Sequence, residues 1–180
     1  YGVSVAEVIM PGADLSEQIS TAGTEASGTG NMKLSMNGAL TIGTDDGANI
    51  EIRQAVGDDN IFIFGLKTPE VAAWTAAGYD SHTVLRDNPA LRAVLDAIAS
   101  GVFSPEEPDR YRELVDSLLG PHDRYFVLAD HASYVAAQAR VDALYRRPDD
   151  WTRCAIANVA AMGCFSSDHT IAQYARTIWN

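Results

Sequence analysis

Residues 20–33 read Ser-Thr-Ala-Gly-Thr-Glu-Ala-Ser-Gly-Thr-Gly-Asn-Met-Lys. A glycine-rich loop that runs into a helix leaves several backbone amides without an intrahelical acceptor, and the helix dipole makes that end positive. The stretch therefore predicts an anion site, most naturally for a phosphate. Gly28 and Gly30 would let the backbone approach the anion closely, because neither carries a Cβ. A flexible connector remains the alternative interpretation.

Two common phosphate motifs do not fit these residues. A Walker loop requires a lysine after its last glycine, whereas Gly23 and four further residues lead to Gly28-Thr29. The dinucleotide fingerprint requires a third glycine where Lys33 stands. The pattern therefore argues against a nucleotide site.

Lys33 is one of only two lysines in a chain with 13 basic residues. Near the start of a helix a cation is electrostatically unfavourable. A lysine held partly as the neutral amine is what imine chemistry needs. The residue types thus allow a covalent link to a carbonyl group, although on their own they favour a solvated surface lysine.

The flanking sequence predicts an α/β fold. Leu40–Gly43 and Ile61–Phe64 read as short strands, and the second is continuously apolar, as in a parallel strand covered on both faces. Thr68-Pro69-Glu70 predicts a helix with Thr68 as its N-cap. A strand, a turn and a helix in succession form the building block of a doubly wound sheet.

The second half of the chain predicts helices that pack through apolar stripes. Ser104-Pro105-Glu106-Glu107 matches a capping box that would open a helix. The predicted stripes are Leu91, Val94, Leu95 and Ile98; Tyr111, Leu114, Val115 and Leu118; Ala155, Ile156 and Val159; and Ile171, Tyr174, Ala175 and Ile178.

Composition excludes several classes of function. The 13 basic and 24 acidic residues give a net charge of −11, which argues against a nucleic-acid partner. Two cysteines ten residues apart support neither a zinc ribbon nor a disulfide framework. No long apolar run and no signal-peptide pattern is present, so we expect a cytoplasmic protein without a membrane partner.

Acidic residues near the glycine-rich stretch allow more than one interpretation. Glu25 has no second acid close in sequence, although glycoside hydrolysis usually needs a pair of carboxylates. In a Gly/Ser loop such an acid is often simply solvated. Asp45-Asp46-Gly47 lacks the spaced ligands of a calcium loop, so a strand-to-helix turn is the better interpretation, and no metal is expected.

Several segments together resemble the glycogen and starch phosphorylases. The longest is residues 14–33, and the likeness extends through most of the chain, at 37–44, 46–49, 103–105, 151–153, 165–168 and 174–176. The resemblance implies the Rossmann-like C-terminal lobe of a two-lobed B-type glycosyltransferase, followed by a helix-rich C-terminal region. Residues 1–180 would then form a single partial domain, with the cofactor site in 1–88 and mainly helices in 89–180.

The resemblance also implies an activity and roles for named residues. The full-length enzyme would cleave α-1,4-glucan with inorganic phosphate to release glucose 1-phosphate, using pyridoxal 5'-phosphate, and would be a homodimer. Lys33 would hold the cofactor covalently, and the amides of Thr29 and Gly30 would hold the cofactor phosphate. Glu25 and the amides of Ser27 and Gly28 would face the sugar.

Residues 1–180 alone would be inactive, because the upstream basic side chains that the resemblance implies are absent from them. A non-catalytic phosphate- or sugar-binding module remains the alternative function.

Overall fold

A computed structural model describes residues 2–120 and 123–179 of the chain. In that part of the chain the strands are β1 (Leu15–Gln18), β2 (Leu40–Thr44) and β3 (Phe62–Phe64). The helices are α1 (Val3–Ile9), α2 (Thr29–Met36), α3 (Ala48–Val56), α4 (Thr68–Ala77), α5 (Ser81–Asp87), α6 (Pro89–Ala99), α7 (Arg112–Leu118), α8 (Val127–Tyr145), α9 (Pro148–Ala161) and α10 (Ser167–Thr177). The chain is thus a mixed α/β protein with a small sheet and many helices.

The three strands form a parallel sheet in the order β1-β2-β3. Leu15 pairs with Leu40, and Ile42 pairs with Phe62. Each connection between neighbouring strands contains a helix, α2 and then α3, as parallel pairing requires. All three strands therefore end at the same edge of the sheet, near Gln18, Thr44 and Phe64.

Helices cover both faces of the sheet, because alternate side chains of each strand point to opposite sides. Leu40, Ile42, Phe62 and Phe64 pack on one face with Ala137 and Val141 of α8 and Trp151 of α9. On the other face Ile63 packs in a cluster with Ala48 and Ile52 of α3, Met32 of α2 and Met162. A third cluster, away from the sheet, joins α5, α6 and α8 through Leu85, Leu91, Leu95 and Leu128.

The predictions for the strands are confirmed with small changes. The strand predicted at Leu40–Gly43 extends to Thr44, and the predicted parallel strand begins at Phe62 rather than Ile61. Strand β1 was not predicted, because only Leu15 of its four residues is apolar. Its alternating pattern is therefore too short and too polar to distinguish it from a loop.

Two predicted helix starts need correction. The N-cap of α4 is Lys67, not Thr68, because the Glu70 carboxylate accepts a hydrogen bond from the Lys67 amide at 2.7 Å. Ser104 does not open a helix: residues 104–110 form successive turns, and α7 begins at Arg112. Pro108 explains this, because it has no N–H to donate to the Ser104 carbonyl and disfavours a helical Glu107.

Some predicted apolar stripes pack only in part. Leu91, Leu95 and Val115 are buried as expected, whereas Val94 and Leu114 are exposed. On α9 the buried side chains are Trp151 and Asn158, and Ile156 is 63% exposed. The stripe of α10 faces solvent in the described part of the chain, with Ile171, Tyr174 and Ile178 all exposed. For these two helices the periodicity correctly predicts a helix but not a buried face.

We expect Gly43 to be essential to the sheet. A Cβ at this position of β2 would lie against Asn49 Nδ2 and 2.7 Å from the carbonyl oxygen of Gln18, with no room to shift because the strand is central and buried. Gly43→Ala should lower the free energy of unfolding by about 1–3 kcal/mol. Urea unfolding of the purified protein measures this change. Gly163→Ala is the matched control, since its Cβ would meet nothing within 4 Å. Equal losses in the two variants would contradict the prediction.

Candidate functional site

The glycine-rich loop lies at the carboxyl edge of the sheet, between the end of β1 and the start of α2. Gly28 is the N-cap of α2 and has a positive φ of 79°, a conformation that a glycine adopts at little cost. Ligands of open parallel sheets commonly bind at this edge. The predicted loop-to-helix arrangement is therefore present in the structure.

The turn that follows β2 holds the loop in place. The Asp46 carboxylate is buried, and its Oδ2 accepts hydrogen bonds from the amides of Thr24 at 3.1 Å and Glu25 at 2.8 Å. The carbonyl of Ser27 accepts from the amide of Ala48 at 2.7 Å. The interpretation of Asp45-Asp46-Gly47 as a strand-to-helix turn is confirmed, because these residues connect β2 to α3.

Glu25 is half-buried, and both of its carboxylate oxygens accept hydrogen bonds. The Gln18 side-chain amide donates to Oε2 at 3.0 Å, and the Ser27 backbone amide donates to Oε1 at 3.1 Å. Each carboxylate oxygen has two lone pairs, so both keep the capacity to accept a further bond. The side chain is therefore fixed in one orientation and can still bind hydroxyl groups.

A buried pair of asparagines fixes the first turn of α2. Asn31 donates to the side-chain oxygen of Asn49, and Asn49 donates in turn to the carbonyl of Thr44 at 2.9 Å. Asn31 Oδ1 accepts the amide of Met32 at 3.1 Å. These bonds connect the start of α2 to the end of β2, so the helix amides have a defined direction relative to the sheet. The sequence pattern assigned no role in the site to Asn31, Asn49, Gln18 or Asp46, because the partners that they bind lie elsewhere in the chain.

The start of α2 has the features of an anion site. The amides of Thr29 and Gly30 belong to its first turn, where backbone N–H groups have no intrahelical acceptor. Both residues are exposed. A Cβ at Gly30 would meet nothing within 4 Å, and its φ is not positive, so neither packing nor backbone conformation requires a glycine there. The first turn of α2 is therefore open to solvent on the side of Gly30, where no side chain would block an anion.

Lys33 is exposed and lies in the last turn of α2. The expectation that the helix dipole disfavours its charge is therefore wrong, because a helix of eight residues places its fifth residue nearer the negative end. Lys33 follows Thr29 by four residues and Gly30 by three, so all three share one side of the helix. Its side chain also lines a cleft of about 380 Å³ with Val3, Ala6, Glu7 and Met10.

The predicted site residues fall into two groups, one on the glycine-rich loop and one on α2. Glu25, Ser27 and Gly28 belong to the loop that the β2–α3 turn anchors, whereas Thr29, Gly30 and Lys33 belong to α2. The donor set suits pyridoxal 5'-phosphate: α2 offers two amides for its phosphate and one amine for its aldehyde. The fit rests on the free space at Gly30 and on the shared side of α2.

A second cleft of about 460 Å³ lies beside the loop at the same edge of the sheet. Phe64 and Tyr134 form part of its apolar wall, and Thr21 and Thr24 of the loop contribute polar groups. Asp130 also lines it, and burial raises the pKa of this carboxyl although the Leu66 amide donates to it. Glu25 does not line this cleft or the one that contains Lys33.

Within residues 2–120 and 123–179, no helix combines the length and the apolar composition needed to cross a membrane.

Comparison with known proteins gives the family of the chain. The chain is 56% identical over 179 residues to brain-form glycogen phosphorylase of Ovis aries, and 54% identical to the muscle form of Oryctolagus cuniculus. Each alignment covers 99% of this chain and 21% of the relative, so the chain spans about a fifth of the length of these proteins. A family model described as carbohydrate phosphorylase matches residues 1–180, and the chain belongs to that family.

Proposed function

We propose that this chain is the cofactor-bearing part of an enzyme that cleaves α-1,4-glucan with inorganic phosphate and releases glucose 1-phosphate. One observation carries the proposal: a single ordered segment presents a fixed carboxylate, Glu25, followed by the exposed amides of Thr29 and Gly30 and by Lys33. Relatives that are 54–56% identical are named glycogen phosphorylase, which supports a glucan as substrate.

The loop residues bind the sugar. Glu25 accepts hydrogen bonds from hydroxyl groups of the reacting glucosyl unit, using the lone pairs that Gln18 and Ser27 leave available. The Ser27 amide already donates to Glu25, so it reaches a sugar oxygen only by exchanging or sharing that bond. Gly28 has no side chain to separate its amide from the ligand.

The helix residues hold pyridoxal 5'-phosphate. Lys33 binds the cofactor covalently through Nζ, and the amides of Thr29 and Gly30 donate to its phosphate. When bound, the cofactor supplies a phosphate group that exchanges protons with inorganic phosphate, as the family resemblance implies. The protein contributes orientation: the Asn31–Asn49 pair keeps the start of α2 in place relative to the loop.

The remaining features of the proposal concern the whole protein. Residues 1–180 form one partial domain, with the cofactor site in 1–88 and mainly helices in 89–180. They belong to the Rossmann-like C-terminal lobe of a two-lobed, B-type glycosyltransferase that acts in the cytoplasm as a homodimer. The parallel sheet, with its ligand residues at the carboxyl edge, supports this placement.

Lys33, and not Lys67, should carry the cofactor. Lys33 shares one side of α2 with the phosphate-binding amides, whereas Lys67 precedes α4 on a different connection. Borohydride reduction of the full-length protein followed by peptide mapping should label Lys33. Lys33→Ala should lose covalent retention of the cofactor, and Lys67→Ala should keep it. A label on Lys67 alone, or on neither lysine, would refute the assignment.

Glu25→Gln in the full-length protein should lower turnover and leave cofactor content normal. The glutamine keeps the shape of the side chain but loses a charge-assisted hydrogen bond, worth roughly 1.5–3 kcal/mol, or about 10- to 150-fold in rate. Release of glucose 1-phosphate from glycogen measures turnover, and absorbance of the bound cofactor measures its content. If the variant lost its cofactor but regained ordinary activity after reconstitution, Glu25 would belong to the cofactor site instead.

Residues 1–180 alone should not release glucose 1-phosphate from glycogen. Two phosphates held close together need positive groups, yet before Gly65 the only basic residues are Lys33 and Arg53, and Arg53 pairs with Asp58 at 2.5 Å. The net charge of −11 adds to the repulsion. The assay supplies pyridoxal 5'-phosphate and inorganic phosphate to the folded piece, with circular dichroism as the control for folding. Turnover would show that the essential groups all lie within these residues.

A further inference from the structure

Asp46 is a buried acid that the proposed chemistry leaves without a role. Only 6% of the residue is exposed, and one oxygen, Oδ2, accepts both the Thr24 amide and the Glu25 amide. Hydrogen bonds to a charged acceptor are stronger than neutral ones, and burial strengthens them further. A buried carboxylate therefore holds two successive amides of a loop that has no regular secondary structure of its own.

The anchor is rigid because Asp46 lies in the turn two residues after the end of the central strand. Its own amide donates to Thr44 at 2.9 Å, and its carbonyl accepts the Asn49 amide of α3 at 3.1 Å. Two residues further on, Ala48 donates to Ser27. The loop is thus tied to one turn on both sides of Glu25, and the sheet determines where the Glu25 backbone lies.

Packing against the same turn also restricts the conformation of the Glu25 side chain. A Cβ at Gly47 would lie 2.7 Å from Glu25 Cγ and 3.2 Å from the Ser27 carbonyl oxygen, so the Glu25 side chain lies directly over the bare backbone of this glycine. Gln18, at the end of β1, donates to the carboxylate. The backbone and the Cγ of Glu25 are therefore held by the turn after β2, and its carboxylate is held by the last residue of β1.

We propose that Asp46 is a positioning residue for the reaction: it aims the Glu25 carboxylate at the sugar by holding the Thr24 and Glu25 amides. This inference rests on the proposed role of Glu25 in binding the glucosyl unit. Asp46 is not among the residues proposed to bind substrate or cofactor. It acts only through Glu25, because both of its loop contacts are with the backbone that carries that side chain.

Substitutions in the full-length protein test the proposal. Asp46→Ala should lower kcat for glucose 1-phosphate release by about 10- to 100-fold, the loss expected from a small displacement of a positioned group. Asp46→Asn should lose less, because its side-chain oxygen can still accept both amides. Cofactor content should be normal in each variant. Asp45→Asn is the matched control: Asp45 lies in the same turn but faces Arg53 at 3.5 Å, and wild-type kcat is expected.

A double-mutant cycle distinguishes positioning from a general structural role. If Asp46 acts through Glu25, Asp46→Ala should lower kcat by less than about threefold in a Glu25→Gln background. A full multiplicative loss there, or equal kcat for Asp46→Ala and wild type, would overturn the proposal. If the alanine variant does not fold, the same cycle is run with Asp46→Asn. A loss of kcat that becomes smaller in the Glu25→Gln background supports the proposal, and no loss, or an equal loss in both backgrounds, contradicts it.

The cycle also separates this inference from the function on which it rests. Wild-type turnover of Glu25→Gln would refute the role of Glu25 in sugar binding, and the positioning role would fall with it. Impaired Glu25→Gln together with normal Asp46→Ala and Asp46→Asn would refute only the positioning role.

Discussion

The structure depends on the burial of β2 between two parallel neighbours and two helical layers. A strand enclosed in this way ends in the protein interior, so its last polar groups need partners within the protein. Asn49 donates to the Thr44 carbonyl, and the Thr44 hydroxyl donates to the Ser20 carbonyl at 2.7 Å. The Asp46 carboxylate then accepts two loop amides. The polar groups that satisfy the end of one strand are thus the ones that order the candidate site.

The sequence predicted the features whose signal is local. The glycine-rich loop before a helix depends on neighbouring residues, and so does the apolar run of β3; both are present in the structure. The start of α7 depends on Pro108, four residues after Ser104 and directly after the apparent capping box, so the capping pattern alone was misleading. A local sequence pattern predicts an element correctly when all the residues that determine the element lie within the pattern.

The parts of the site that could not be predicted are contacts across the chain. Asp46 is 22 residues from Thr24, and Asn31 is 18 residues from Asn49. Strand β1 forms because β2 provides a partner, and its own sequence is largely polar. The position of Lys33 was misjudged for a related reason: the length of α2, which only the fold determines, decides which end of the dipole the lysine meets.

Charge and shape have separate sources in this site. The groups that fix its geometry are carboxylates, side-chain amides and backbone amides, and the acids among them add negative charge where anions are proposed to bind. Peptide dipoles at the start of α2 supply a positive potential without a formal charge. That potential can hold one phosphate, but two phosphates in contact need formal cations as well. Under the proposed function, a chain with a net charge of −11 therefore orders the site, and the cations for a second phosphate come from other parts of the full-length protein.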